Sequence, residues 1–178
     1  MASPTRFDLS GYLPYLLNRV GAALVVRFSE DGLERHGLSI SMWRVLAALG
    51  HRNAQRQIDV SDLTSIDAST LSRLVSRLAR MGLVSRERSA RSNREVTLRL
   101  TAKGQRLMTQ LLPIARRLEQ AATRNLAVDD VEAAKRLLGR MYDNLRGDES
   151  RDKASQLLDG GLRPHAAKRT PRRPAARR

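Results

Sequence analysis

The stretch Asp67-Ala-Ser-Thr-Leu-Ser-Arg-Leu-Val-Ser-Arg-Leu-Ala-Arg-Met-Gly82 decides the fold. Leu71, Leu74, Val75 and Leu78 recur at helical spacing and form one apolar stripe. Asp67 stands where a helix needs an N-cap acceptor, and Gly82 where the chain leaves a helix in the left-handed conformation. The spacing therefore predicts a helix over 68–81. Its opposite side carries Ser69, Thr70, Ser72, Arg73, Ser76 and Arg77. Short hydroxyls let a backbone approach a polyanion closely, and arginine can grip guanine O6 and N7 with two hydrogen bonds. A solvated polar face is the plain alternative.

The flanking residues favour a DNA contact. Just upstream, Val60–Thr64 reads as a short helix capped by Asp59, with a turn at Ser65 and Ile66. A short helix, a tight turn and a second helix make the helix-turn-helix pattern. Downstream, Leu83–Arg88 and Glu95–Leu100 alternate apolar and polar side chains, and the polar, acid-free stretch Ser89–Arg94 lies between them. That predicts a β-hairpin whose tip presents Arg91, Asn93 and Arg94, a wing suited to the negative potential of a minor groove. From Asp67 to Gly104 nine basic residues face three acidic ones, a net charge of +6 in one module. The predicted DNA-contacting surface runs from about Asp67 to Leu100.

Working outward, Ser39 caps a helix carrying Trp43, Val45, Leu46 and Leu49, and His51–Gln57 reads as a polar loop. Ahead of it, a helix is expected from a cap at Ser10, with Pro14 in its first turn. Leu13, Leu16, Leu17, Val20, Leu24 and Phe28 form its stripe, for core packing or for pairing with another subunit. After the wing, Thr101 caps a helix through Leu107, Leu111, Ile114 and Leu118. Pro113 should kink it or leave one carbonyl unpaired. A last helix starts at Asp129 with Val131, Ala134, Leu138, Met141 and Leu145, and apolar density falls after Gly147. The fold class expected is mainly α with a small β-hairpin wing, a winged helix-turn-helix flanked by N- and C-terminal helices.

The 178 residues carry a net charge of +15. Seven basic and no acidic residues lie from Gly160 onward, which leaves +8 on residues 1–159. The folded part is thus basic on its own account, and a polyanionic partner is expected, double-stranded DNA before an anionic membrane. The lack of cysteine excludes disulfides, thiolate zinc sites and thiol redox sensing, and suits a cytoplasmic protein. No secretory segment or apolar run of about 18 residues is visible, so no membrane partner is expected. His36, His51 and His165 show no metal-ligand spacing. No phosphate loop, Gly-x-Ser-x-Gly or His-Glu-x-x-His motif is present. Neither a catalytic site nor a cofactor is expected.

Several segments together resemble the MarR family of bacterial transcriptional regulators. They are Leu38–Leu46, the run Ser69–Leu78, Gly82-Leu-Val, Arg94, and Leu98-Arg-Leu-Thr-Ala-Lys-Gly104. The resemblance covers roughly residues 10–146. It implies a homodimer held by helices at about 10–36 and 101–146, around a DNA-binding lobe at about 39–104. Residues 1–9 form a flexible start and 147–178 a basic, disordered tail. It also implies a recognition helix in the major groove, a wing on the minor groove, and a pseudo-palindromic operator, usually repressed until a small ligand releases the protein. One departure stands out. The family's wing carries Asp-x-Arg, and here Ser92 takes the acidic position before Asn93 and Arg94. The family pocket lies between the dimerisation region and the DNA-binding lobe, where Arg19, His36, Trp43 and Arg44 could suit an aromatic acid or its coenzyme A thioester; simple packing is the alternative for each. A nonspecific or architectural nucleic-acid binder driven by the tail is the competing function.

Overall fold

The computed structural model describes residues 7–52, 54–89 and 92–159, with side-chain positions for 7–52, 54–87 and 96–147. Two compact units divide the chain, residues 1–124 and 125–178. The first contains α1 (Leu13–Phe28), a π-helical turn (Ser29–Leu33), a 3-10 turn (Glu34–His36), α2 (Ile40–His51), β1 (Gln55–Arg56), α3 (Gln57–Thr64), α4 (Ala68–Arg80), β2 (Val84–Ser89), β3 (Ser92–Leu100) and α5 (Ala102–Ala122). The second contains α6 (Val128–Asp159).

Local chemistry sets most of these boundaries. Ser39 Oγ accepts from the Met42 N–H, Asp67 Oδ1 from the Thr70 N–H, and Thr101 Oγ1 from the Gly104 N–H. Each is the side-chain cap expected from the sequence. Gly82 leaves α4 at φ +72°, which a side chain would resist.

Two expected caps fail. Ser10 donates its N–H and its hydroxyl to Asp8 Oδ1 in a turn that ends before the first helical residue, Leu13. Helix α1 instead begins after Tyr12, without a side-chain cap. Helix α3 starts at Gln57, two residues ahead of Asp59, which is held in the first turn by a two-pronged pair with Arg56 (2.9 and 2.8 Å).

The expected loop at His51–Gln57 holds a strand. Gln55 and Arg56 pair antiparallel with Leu98 and Thr97, which gives a three-stranded sheet in the order β1-β3-β2. Gln55 is buried, and its side-chain amide donates to the Ala48 and Arg52 carbonyls at the end of α2. Two residues are too few for a period, so the sequence carried no strand signal here. The β2–β3 ladder runs from Val84↔Leu100 to Ser89↔Ser92, with an irregularity at Arg88/Ser89. The wing strand β3 therefore starts three residues before Glu95, because main-chain pairing does not need apolar alternation.

Fully buried Leu33, Met42, Leu46, Leu49, Leu71, Leu78, Leu98 and Leu111 fill the core, and all but Leu33 lie on α2, α4, β3 or α5. Aliphatic packing suits a chain with 3% aromatic residues. Of the expected α1 stripe only Phe28 is buried and Leu24 half-buried. Leu13, Leu16, Leu17 and Val20 stay 40–57% exposed, so core packing does not explain them. Helix α5 continues through Pro113. Helix α6 runs past Gly147 to Asp159, and Leu137, Leu138, Tyr142 and Leu145 on it are exposed.

Candidate DNA-binding surface

Helix α4 faces two ways. Leu71, Val75 and Leu78 are buried, whereas Ser69, Thr70, Arg73, Arg77 and Arg80 are exposed. A 3.6-residue repeat seats one face in the core, so the other must project. Arg73 and Arg80 make no hydrogen bond or ion pair among the described residues, which leaves both guanidinium groups available to an external anion. Arg77 makes one long contact, from Nη2 to the Gly37 carbonyl (3.5 Å). At the N-terminus, Ser69 donates its hydroxyl to Asp67 Oδ1 (2.7 Å) beside the Thr70 N–H. These bonds, the Thr70 N–H first, hold the Asp67 carboxyl well below the usual carboxylate range.

Ser72 and Ser76 sit differently from the other candidates. Both are half-buried. The Ser76 hydroxyl donates to the Ser72 carbonyl (2.8 Å) and accepts from Arg86 Nη1 (3.0 Å). Arg86 Nη2 also donates to Gln57 Oε1 (3.3 Å). One guanidinium on β2 thus ties the wing strand to both helices of the helix-turn-helix. Sequence reading missed this role, because Arg86 is one of several alternating charges and its partners lie 10 and 29 residues away. Of the expected wing contacts, Arg91 lies outside the described residues. Asn93 and Arg94 contribute backbone to β3, and their side chains lie outside those described.

The Thr-Ala-Lys-Gly segment fastens the wing base to α5. Thr101 donates its hydroxyl to the Gly82 carbonyl (2.6 Å) and its N–H to the Leu83 carbonyl (3.1 Å). Lys103 Nζ donates to the Met81 carbonyl (2.9 Å), capping the C-terminal end of α4 from another element. Gly104 lies so close to Leu83 that a Cβ there would stand 2.2 Å from its carbonyl oxygen.

The four ligand candidates do not converge. Arg19 lies over the Tyr15 ring at 5.7 Å, Trp43 packs edge-on against Phe28 at 4.9 Å, and Arg44 is exposed. His36 lines a cavity of about 360 Å³ with Met81, Leu83, Lys103, Arg106, Leu107 and Gln110. A larger open groove of about 680 Å³ runs between the end of α1 and α5, and mixes Arg27, Arg35, Arg117 and Arg124 with Glu30 and Asp31. Among the described residues, no three His, Asp or Glu side chains form a metal-binding group, and no helix is long and apolar enough to cross a membrane.

Comparison with known proteins agrees with this architecture. Residues 36–95 match the MarR family. The chain is 27% identical over 126 residues to the HTH-type transcriptional regulator MgrA of Staphylococcus aureus, covering 71% of this chain and 83% of the relative. It is similar to the PcaV transcriptional regulator of Streptomyces coelicolor, solved in complex with its natural ligand (TM-score 0.70, 28% identity, 80% of this chain and 98% of that one). It is also similar to BpsR of Bordetella bronchiseptica, whose DNA binding is regulated by 6-hydroxynicotinic acid (TM-score 0.66, 25% identity, 73% and 98%). Motif order, helix capping, sheet topology and these matches converge: the chain is built on a winged helix-turn-helix and is similar to transcriptional regulators of the MarR family.

Proposed function

We propose that the protein is a homodimeric repressor that reads a pseudo-palindromic operator in the cytoplasm and is released by a small organic acid. The observation that carries the DNA-reading part is the exposed face of α4, where Arg73 has no partner among the described residues. In this reading Ser69, Thr70, Arg73 and Arg77 meet the major groove, while Arg91, Asn93 and Arg94 reach the minor groove. Ser72 and Ser76 support the helix rather than read bases, since the Ser76 hydroxyl is engaged by Arg86. A second copy of the chain would cover the exposed leucines of α1 and α6. Residues 10–146 then act as one regulator domain, with residues from 147 as an appendage. The ligand-regulated relatives support release by a small molecule.

The test is selection of DNA from a random library by the full chain, followed by footprinting. A two-part, roughly symmetric site is expected. Arg73→Ala should then lose about 1–3 kcal/mol of discrimination between that site and random DNA. Equal losses on both would remove Arg73 from base reading. The seven tail cations support a second reading, nonspecific binding through residues 160–178. Deleting them should flatten the salt dependence and spare discrimination; abolished binding would favour the second reading.

A further inference from the structure

The open groove of about 680 Å³ between the end of α1 and α5 carries both signs of charge, unequally divided between its two walls. On the α1 side the π-helical turn supplies Glu30 and Asp31, flanked by Arg27 and Arg35. On the other side Arg117 and Arg124 lie seven residues apart, on one face of α5, with no carboxylate beside them in the lining. Half-buried Ile114 and Leu118 form an aliphatic floor. Glu30 and Asp31 make no ion pair among the described residues, although four guanidinium groups line the same groove. Arg35 donates to the Asp31 carbonyl (2.9 Å), whereas Arg27, Arg117 and Arg124 make no hydrogen bond among the described residues. Opposite charges thus face one groove without reaching each other.

The acidic wall is held in place by the fold. A π-helical turn is rare and is found mostly where a side chain has to be aimed for function. Here the turn is packed against α5, since Leu33 is fully buried and a Cβ on Gly32 would stand 3.4 Å from Ile114. Arg27 lies roughly 10–20 Å along α1 from Leu13, Leu16, Leu17 and Val20, the side chains that a second copy would cover. None of Arg19, His36, Trp43 and Arg44 lines the groove.

A simple anion would satisfy the arginines of α5 and leave Glu30 and Asp31 unanswered, and a simple cation would do the reverse. A molecule with its two charges at opposite ends of a methylene chain answers both walls and lays its apolar middle on the floor. We propose that this groove binds an ω-amino acid, with the carboxylate on Arg117 and Arg124, the ammonium on Glu30 and Asp31, and the methylene chain over Ile114 and Leu118. An α-amino acid carries both charges at one end and cannot span the walls. This assignment needs neither the operator nor the ligand-driven release proposed above.

The experiment titrates 6-aminohexanoate into the 15N-labelled full chain and follows amide shifts by NMR. Hexanoate, hexylamine and norleucine serve as comparisons, with one charge, the other charge, and both charges at one end. Saturable shifts are expected at 27–35 and 114–124, with 6-aminohexanoate binding tightest of the four. Arg117→Gln should weaken it about fivefold, as for one charge-assisted contact at an exposed site. Glu30→Gln with Asp31→Asn should lower its affinity to that of hexanoate and should not weaken hexanoate itself. All three side chains are exposed, so the variants should keep the wild-type urea midpoint. No saturation by about 20 mM, or shifts confined to other residues, would overturn the site. Equal or tighter binding of hexanoate, hexylamine or norleucine would overturn the separated-charge class, and an unchanged preference in the doubly neutralised variant would remove Glu30 and Asp31 from ammonium binding.

Discussion

Gly104→Ala should destabilise the protein although Gly104 lies in the first turn of a helix. A glycine in a helix is normally worse than alanine by about 0.5–1 kcal/mol, so the default expectation is a gain. Here the added Cβ would stand 2.2 Å from the Leu83 carbonyl oxygen and 3.1 Å from its carbon, against a practical floor of 3.0 Å for real Cβ contacts. The segments must part by about 0.8 Å, and both sides of the clash are backbone. The same oxygen accepts from the Thr101 N–H at 3.1 Å, and a separation of that size breaks the bond, for about a further 1 kcal/mol. Overpacking of this kind costs about 1–3 kcal/mol. After the helix gain is subtracted, a net loss of about 2 kcal/mol is expected. In urea that lowers the midpoint by about 1 M for a slope near 2 kcal/mol/M, measured at fixed protein concentration. Gly147→Ala is the control, because nothing lies within 4 Å of its added Cβ; it should be neutral or stabilising. Since Leu83 begins the wing, Gly104→Ala should also weaken DNA binding more than Gly147→Ala does. A Gly104→Ala midpoint equal to or above wild type would refute the close approach of α5 to the wing base.

Three further outcomes follow from the geometry. Arg86→Met and Ser76→Ala should couple by about 0.5–1.5 kcal/mol in a double-mutant cycle, and Arg86→Met should leave the salt slope of DNA binding unchanged; a slope reduced by about one would make Arg86 a phosphate contact instead. The Asp67 carboxyl is held below its ordinary value, so its cap stabilises the fold fully above about pH 4 and loses that contribution as pH falls further. The wild-type melting temperature should therefore drop more steeply below about pH 4 than that of Asp67→Asn, whose amide oxygen still caps but does not titrate; parallel curves would contradict the cap. Leu16→Lys with Val20→Lys should convert a dimer to a monomer in analytical ultracentrifugation, and an undisturbed dimer would remove α1 from the interface.

Much of the fold was legible because its signals are local. The caps at Ser39, Asp67 and Thr101, the Gly82 exit and the apolar stripe of α4 each depend on residues within one or two turns. The exposure of the basic face of α4 was legible for the same reason: once Leu71, Val75 and Leu78 face the core, a 3.6-residue repeat leaves Arg73 and Arg77 outside. Local reading failed where a side chain had two possible partners. Ser10 and Asp59 are good caps by type, but Ser10 sits in a turn with Asp8 ahead of α1, and Asp59 pairs with Arg56 inside the first turn of α3.

What only the tertiary structure decided depends on contacts between residues far apart in the chain. Gln55–Arg56 becomes a strand because β3 offers an edge to pair with. Ser76, on the polar side of α4, is tied to the wing because Arg86 donates to its hydroxyl from β2. Trp43 packs on Phe28 and Arg19 lies over Tyr15, while a cavity forms where Lys103 and Arg106 meet the end of α4. Periodicity fixes which face of a helix points inward, since that needs only the residues of the helix itself. Which side chain answers it across the core is a property of the folded chain.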